Sequence, residues 1–149
     1  MKIENKEFTD LNIHELYSIL KLRQEVFIIE QECNYLDCDN FDLNAIHVTI
    51  NDDLNLIAYL RIIKHGIISK NIVFGRILVN KKNRDKSIGK NIISYTIEFV
   101  KNKFPNTDIE MSAQSYLIEY YKKFGFDVYG EEYLEDEIPH IKMIKKNII

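Results

Sequence analysis

The sequence predicts an α/β (α+β) fold, a mixed and mostly antiparallel central sheet with helices on its faces. Three observations predict it. Short β-branched and aromatic runs, separated by polar turns, alternate with stretches of helical periodicity. One strand-like run passes through a short basic loop straight into an amphipathic helix. The 149 residues, 46% hydrophobic and 29% charged, have the size and balance of a single globular domain over 1–149.

Along the chain, Asn12 and Glu15 have the spacing of a capping box, and Ile13, Leu16, Tyr17 and Leu20 then share one face of a helix running to about Phe27. Glu30 to Asn44 is polar and acidic, with Asp37, Asp39 and Asp42. A calcium loop of the EF-hand type needs a mid-loop Gly and a closing Glu, both missing, so a surface loop between helix and sheet is expected. His47–Ile50, Asn55–Ile63 and Ile72–Val79 read as an antiparallel meander. Ile88, Ile92, Thr96, Phe99 and Val100 mark the buried face of a second long helix, which Phe104-Pro105-Asn106 ends. Asp108–Ser112 is a short strand and Leu117–Phe124 a short helix. Gly125 follows its last turn, where a left-handed conformation costs Gly little. Val128–Tyr133 and His140–Ile144 close the sheet. The predicted order is strand, helix, three strands, helix, strand, helix, two strands.

Charge narrows the function classes. A net charge of -3 lacks the footprint of a nucleic-acid binder. Lys81, Lys82, Arg84, Lys86 and Lys90, against Asp85 alone, form a compact basic stretch that suits a small polyanion better than a duplex. No run approaches the ~18 apolar residues that span a bilayer, and the start has no secretory core, so no membrane partner and a cytoplasmic address are expected. Cys33 and Cys38, even with His47, lack the second ligand pair of a zinc site. Neither a metal nor a structural disulfide is expected.

Chemistry concentrates between Ile77 and Asn91. A strand runs into a basic loop and then into a helix N-terminus, where free N–H groups and the helix dipole favour phosphate. Arg84, Lys86 and Lys90 add mobile positive charge, and Gly89 allows close backbone approach. It is not a P-loop, because Gly89-Lys90 is followed by Asn91 and the upstream Gly is absent. A solvated basic helix start is the plain alternative.

Here the chain resembles the GNAT superfamily of acyl-CoA-dependent acetyltransferases. Their loop, Gln/Arg-x-x-Gly-x-Gly/Ala, corresponds to Arg84-x-x-Ser87-x-Gly89, with Ser87 replacing the first Gly and Asp85 standing where many relatives carry another. Tyr121-Lys122-Lys123-Phe124-Gly125-Phe126 looks like the GNAT Tyr-x-x-x-Gly-Phe ending. Gln114 stands where many members have an Asn close to the cofactor. More narrowly, the chain is similar to the ElaA-type branch through Leu22–Phe27, Glu30–Tyr35, Asp37, Asp39, Asp42, Ala45, His47, Ala58–Arg61, Gly75-Arg76, Ser112–Gln114 and Glu135–His140. In the last of these strings Glu137 stands where the branch usually shows Gly.

The resemblance implies a GNAT-like sheet whose fourth and fifth strands splay, and transfer of an acetyl group from acetyl-CoA to an amine. It implies that Ile77, Leu78 and Val79 pair with the pantetheine arm, and that Arg84, Asp85, Lys86, Ser87, Ile88, Gly89 and Lys90 hold the diphosphate. Tyr121 matches the proton donor to the leaving thiolate, with plain aromatic packing as its alternative. A base or a water chain must accept the amine proton; His140, His47 and Glu110 are the candidates, in that order for the two histidines. The departures at Ser87 and Asp85 raise the alternative of a degenerate module that binds acyl-CoA or a protein partner without turnover. Many members self-associate, so a homodimer is one expected state. If the acids at Asp37–Asp42 and Glu131–Glu137 line the acceptor cleft, they steer a cationic amine; a solvated acidic surface is the alternative.

Overall fold

The computed structural model describes residues 1–147. The first helix, α1 (Ile13–Arg23), starts from a complete capping box: the Asn12 side chain accepts the Glu15 N–H at 2.8 Å, and the Glu15 carboxylate accepts the Asn12 N–H at 2.9 Å. The helix does not end near Phe27. It continues through Gln24–Glu30 with wider π-type bonding, in which the Gln31 and Cys33 N–H groups reach the carbonyls of Val26 and Ile28. Its buried stripe differs from the expected one as well. Ile13 and Tyr17 are exposed, while Ile19, Leu22, Arg23 and Val26 are buried. One of those four is an arginine, so apolar periodicity alone pointed to a face rotated by about one position.

Seven strands form one sheet: β1 (Lys2–Glu7), β2 (Ala45–Asp52), β3 (Asn55–Ile63), β4 (Ile72–Val79), β5 (Ile109–Gln114), β6 (Asp127–Glu135) and β7 (Ile138–Lys145). Their spatial order is β1-β2-β3-β4-β5-β7-β6, antiparallel except for the β4–β5 pair. β3 and β4 occupy the expected spans; β2, β6 and β7 extend beyond theirs by one or two residues at each end, and β5 starts one residue later and ends two later than expected. The expected helix at Leu117–Phe124 is a shorter one, α3 (Ile118–Lys122), entered by a tight turn at Ser115–Leu117.

Alternation along the strands separates the two faces. Ala58, Leu60 and Ile62 pack with Ile88, Ile92, Ile93 and Val100 of α2 (Ile88–Lys103) and with Tyr121 of α3. Tyr59, on the other face, packs with Ile19, Leu22 and Val26 of the first helix and with Leu78.

Two irregularities open the sheet at its centre. Between Tyr59 and Arg61 the β3–β4 register slips, so that Leu78 faces Tyr59 and Gly75 faces Arg61. The extra residue makes a bulge in β4, where Arg76 adopts a left-handed φ of 52°. In addition, β4 pairs with β5 only through Ile72–Phe74 opposite Ile109–Met111. Beyond Phe74 the two strands diverge, and the edge of Gly75–Val79 facing β5 has no strand partner among the described residues.

The segment 31–44 is the expected surface loop between helix and sheet, but its aspartates are paired. Arg23 donates to Asp37 and Asp42 at 2.7 Å each, and Arg61 to Asp39 at 2.9 Å and Asp42 at 3.0 Å. Arg76 donates to Asp37 at 2.7 Å and Asp39 at 3.2 Å. Three guanidinium groups thus balance three carboxylates, with Asp37 and Asp42 buried. Burial works against ionisation of Asp42, but hydrogen bonds from Arg23 and Arg61 outweigh it and hold its carboxyl below the usual carboxylate range. These acids are spent on fixing the loop to β3 and β4 and are not available to steer an amine.

Candidate functional site

The divergence of β4 from β5 creates a cleft of about 580 Å³. Its walls include Phe27 and Glu30 from the π-type segment, Gly75 to Val79 of β4, Ser112 and Gln114 of β5, Tyr121 of α3, and His140 of β7. A second cavity of about 660 Å³ adjoins it around Asp85, Ser87, Gly89 and Lys90; Val79, Arg84, Gly89 and Tyr120 line both. The two cavities adjoin along these four residues, beside the basic loop.

At the loop, Asp85 and Ser87 take left-handed φ values of 70° and 60°. These are the conformations that glycine adopts without cost and that other residues adopt at about 1–2 kcal/mol, less for Asp. The chain therefore follows the path of a glycine-rich turn despite the substitutions. The Ser87 side chain makes no capping hydrogen bond, and the helix's first bond runs from the Asn91 N–H to the Ser87 carbonyl. The amides of Ile88, Gly89 and Lys90 lie before it, at the positive end of a 16-residue helix. A Cβ on Gly89 would come within 3.1 Å of the Tyr120 hydroxyl, so a side chain there would narrow the path where the two cavities meet. The Ile88 side chain is buried. Lys90 lines the loop cavity, whereas Lys86 lines neither.

Arg84, expected as mobile charge, is committed. Its Nε donates to the Val79 carbonyl at 3.0 Å, and Nη1 and Nη2 grip the Glu30 carboxylate at 2.6 and 2.9 Å. Nothing in the sequence pattern marks Glu30 as the partner, because the two residues are far apart in the chain and meet only through the sheet. Ile77 packs against the main core and Leu78 with Tyr59, and both residues also line the cleft.

Tyr121 is 7% exposed and packs edge-on against Tyr120 and Phe126. Burial pushes its phenol pKa well above the ordinary tyrosine value, so the hydroxyl keeps its proton. Both its packing role and its place in the cleft are realised together. Gln114 stands directly opposite His140 across β5 and β7, and both line the cleft.

The three candidate bases separate clearly. His140 Nδ1 lies 2.6 Å from the Ile138 carbonyl, which can only accept, so Nδ1 carries a hydrogen and Nε2 is the nitrogen turned to other partners. Its Nε2 is 3.4 Å from Glu135, and the ring stacks on Tyr133. His47 is outside the cleft. It is 1% exposed, with both ring nitrogens bonded, to Tyr59 at 2.5 Å and to the Asp42 carbonyl at 2.9 Å. Glu110 is also outside it, holding the β3–β4 connection through Ser69 and, at 3.1 Å, Asn71. Each is on the strand expected, but the structure gives both a local fastening task.

The acids at the β6–β7 turn are divided as well. Glu135 and Asp136 line the cleft, whereas Glu131 and Glu132 are exposed on β6 away from it. Glu137 and Asp136 form the two-residue turn, with φ values of 64° and 50°, so Glu137 keeps the left-handed path that a Gly would take. Cys33 and Cys38 are both free.

A family profile for the acetyltransferase (GNAT) domain matches residues 30–147. The chain is 36% identical to the ElaA protein of Escherichia coli K12 over 144 residues, which cover 94% of this chain and 93% of that one. Among solved structures, an acyl-CoA N-acyltransferase from Pseudomonas aeruginosa superposes with a TM-score of 0.93 at 34% identity, covering 97% of this chain and 99% of the other. An aminoglycoside 6′-N-acetyltransferase complexed with coenzyme A shares the fold, with a TM-score of 0.74 at 17% identity over 100% of this chain and 98% of the other. The fold is thus a known architecture: the chain belongs to the GNAT acetyltransferase family, in its ElaA-type branch.

Proposed function

We propose that the chain moves an acetyl group from acetyl-CoA to a primary amine, of a small molecule or a protein, by direct attack. The observation that carries this reading is the cleft between β4 and β5, which holds an unpaired strand edge, a buried tyrosine and a histidine along one path from the basic loop. That path fits an extended cofactor: free amides and Lys90 at one end, the bare edge of Gly75–Val79 in the middle, and at the junction a glycine whose side chain would obstruct it.

In this reading the backbone of Ile77, Leu78 and Val79 pairs with the pantetheine arm, and the loop from Arg84 to Lys90 binds the diphosphate. Bound acetyl-CoA supplies an activated thioester carbonyl. A backbone N–H at the β4 bulge donates to the carbonyl oxygen as negative charge grows on it. His140 Nε2 takes a proton from the incoming amine, the new C–N bond forms as the C–S bond breaks, and the Tyr121 hydroxyl delivers a proton to the departing sulfur. Gln114, opposite His140, orients groups at the acceptor end. Burial keeps the phenol protonated, so it holds a proton to give as the sulfur leaves, and a raised pKa also makes it a weaker acid than an ordinary tyrosine.

Asp85 and Ser87 argue less for a module without turnover than their identities do, since the backbone they form is the one a glycine-rich loop requires. Thiol release from acetyl-CoA, followed across a panel of primary amines, tests the proposal. Release that depends on the amine supports transfer. Coenzyme A binding with no release for any amine would favour the binding module.

A further inference from the structure

Arg84 sits where a bound diphosphate would compete for it. Its Nε is anchored on the Val79 carbonyl at 3.0 Å, so the guanidinium can turn about that bond while its two terminal nitrogens change partners. Those nitrogens now grip Glu30 at 2.6 and 2.9 Å. The pair bridges the cleft from the basic loop to the end of the π-type segment, and both residues line it. It is also more than a third exposed, a setting in which ion pairs are weak and screened. A diphosphate offers the same fork two or more charged oxygens and gains amides at the helix N-terminus as well.

We propose that Glu30 holds the diphosphate's place on Arg84, and that cofactor loading exchanges the Glu30 carboxylate for phosphate oxygens. This rests on the acyl-CoA reading given above. Glu30 closes the segment Gln24–Glu30, whose Val26 and Phe27 also line the cleft. Freed from Arg84, Glu30 is left near Lys81, the other cation that acts on it.

Calorimetry with coenzyme A tests the exchange. Glu30→Gln removes the competing charge and should tighten binding about two- to fivefold, the range of a surface ion pair. In an Arg84→Gln background the same Glu30→Gln change should leave the Kd where it is. Equal or weaker binding by the Glu30→Gln protein overturns the exchange and makes the pair a fixed strap. Tightening that persists without Arg84 also overturns it, because the gain would then come from bulk charge. Failure of the unaltered protein to bind coenzyme A would sink the acyl-CoA reading itself, and this proposal with it. Binding by that protein with no gain on substitution removes the exchange alone.

Discussion

Tyr59 donates its hydroxyl to His47 Nδ1 at 2.5 Å, deep under the first helix. Burial lowers the His47 pKa from the ordinary histidine value and so favours the neutral ring. In that ring Nε2, 2.9 Å from the Asp42 carbonyl, carries the hydrogen, and the bare Nδ1 accepts from Tyr59.

That pKa makes stability depend on pH in a direction that can be stated. The unfolded chain protonates His47 at about pH 6.5 and the folded chain at a lower pH, so below about pH 6.5 the unfolded state holds more protons. The contribution is complete above that pH and is lost as the pH falls towards the folded value, with a slope of at most about 1.4 kcal/mol per pH unit for one proton. Urea unfolding at pH 7.5 and 5.5 should show a larger loss for the unaltered protein than for His47→Gln. Equal losses would mean that His47 is not held neutral.

Ser87→Gly should raise stability by up to about 1 kcal/mol, because it removes a left-handed serine whose side chain has no capping bond. Coenzyme A binding should be preserved or tightened. A clear loss of binding would show that the hydroxyl itself contacts the ligand.

The two loop residues also show what a sequence can and cannot tell. The substitutions at Asp85 and Ser87 read as damage, yet the backbone follows the glycine path, because φ is a property of the folded loop and not of residue identity alone. Strands β3 and β4, rich in β-branched residues and flanked by polar turns, were legible to the residue. The acidic run from Asp37 to Asp42 was misread in kind: its meaning depends on Arg23, Arg61 and Arg76, three residues on three different elements that only folding brings together. The same holds for Glu30 with Arg84, and for His47 and Glu110, whose chemistry is ambiguous until their partners are known. Tyr121, by contrast, could be located from a local string of residues.

Breaking the buried charge network should be costly. Asp42→Ala leaves three guanidinium groups to two carboxylates, with Arg23 held by Asp37 alone and Arg61 by Asp39 alone, and both of these arginines are buried. The expected loss is about 3–5 kcal/mol, the cost of stranding a buried charge. Denaturant midpoints measure it. A loss below about 1 kcal/mol would mean that water reaches these guanidinium groups readily. A double change that also replaces Arg23 with Met should recover part of the loss, since the stranded charge is then removed.

Tyr121→Phe separates packing from proton donation. The ring is retained against Tyr120 and Phe126, so the fold and the Kd for coenzyme A should stay close to their original values. Only the hydroxyl is lost, and with it the proton for the leaving sulfur; kcat should fall about 10²- to 10³-fold, as for removal of a general acid. A fall in kcat with an unchanged Kd is the signature of an interaction made only in the transition state. If kcat is unchanged, the hydroxyl is not the donor and Tyr121 is a packing residue. Should kcat and the Kd both worsen in parallel with thermal stability, the ring rather than the hydroxyl would be setting the shape of the cleft.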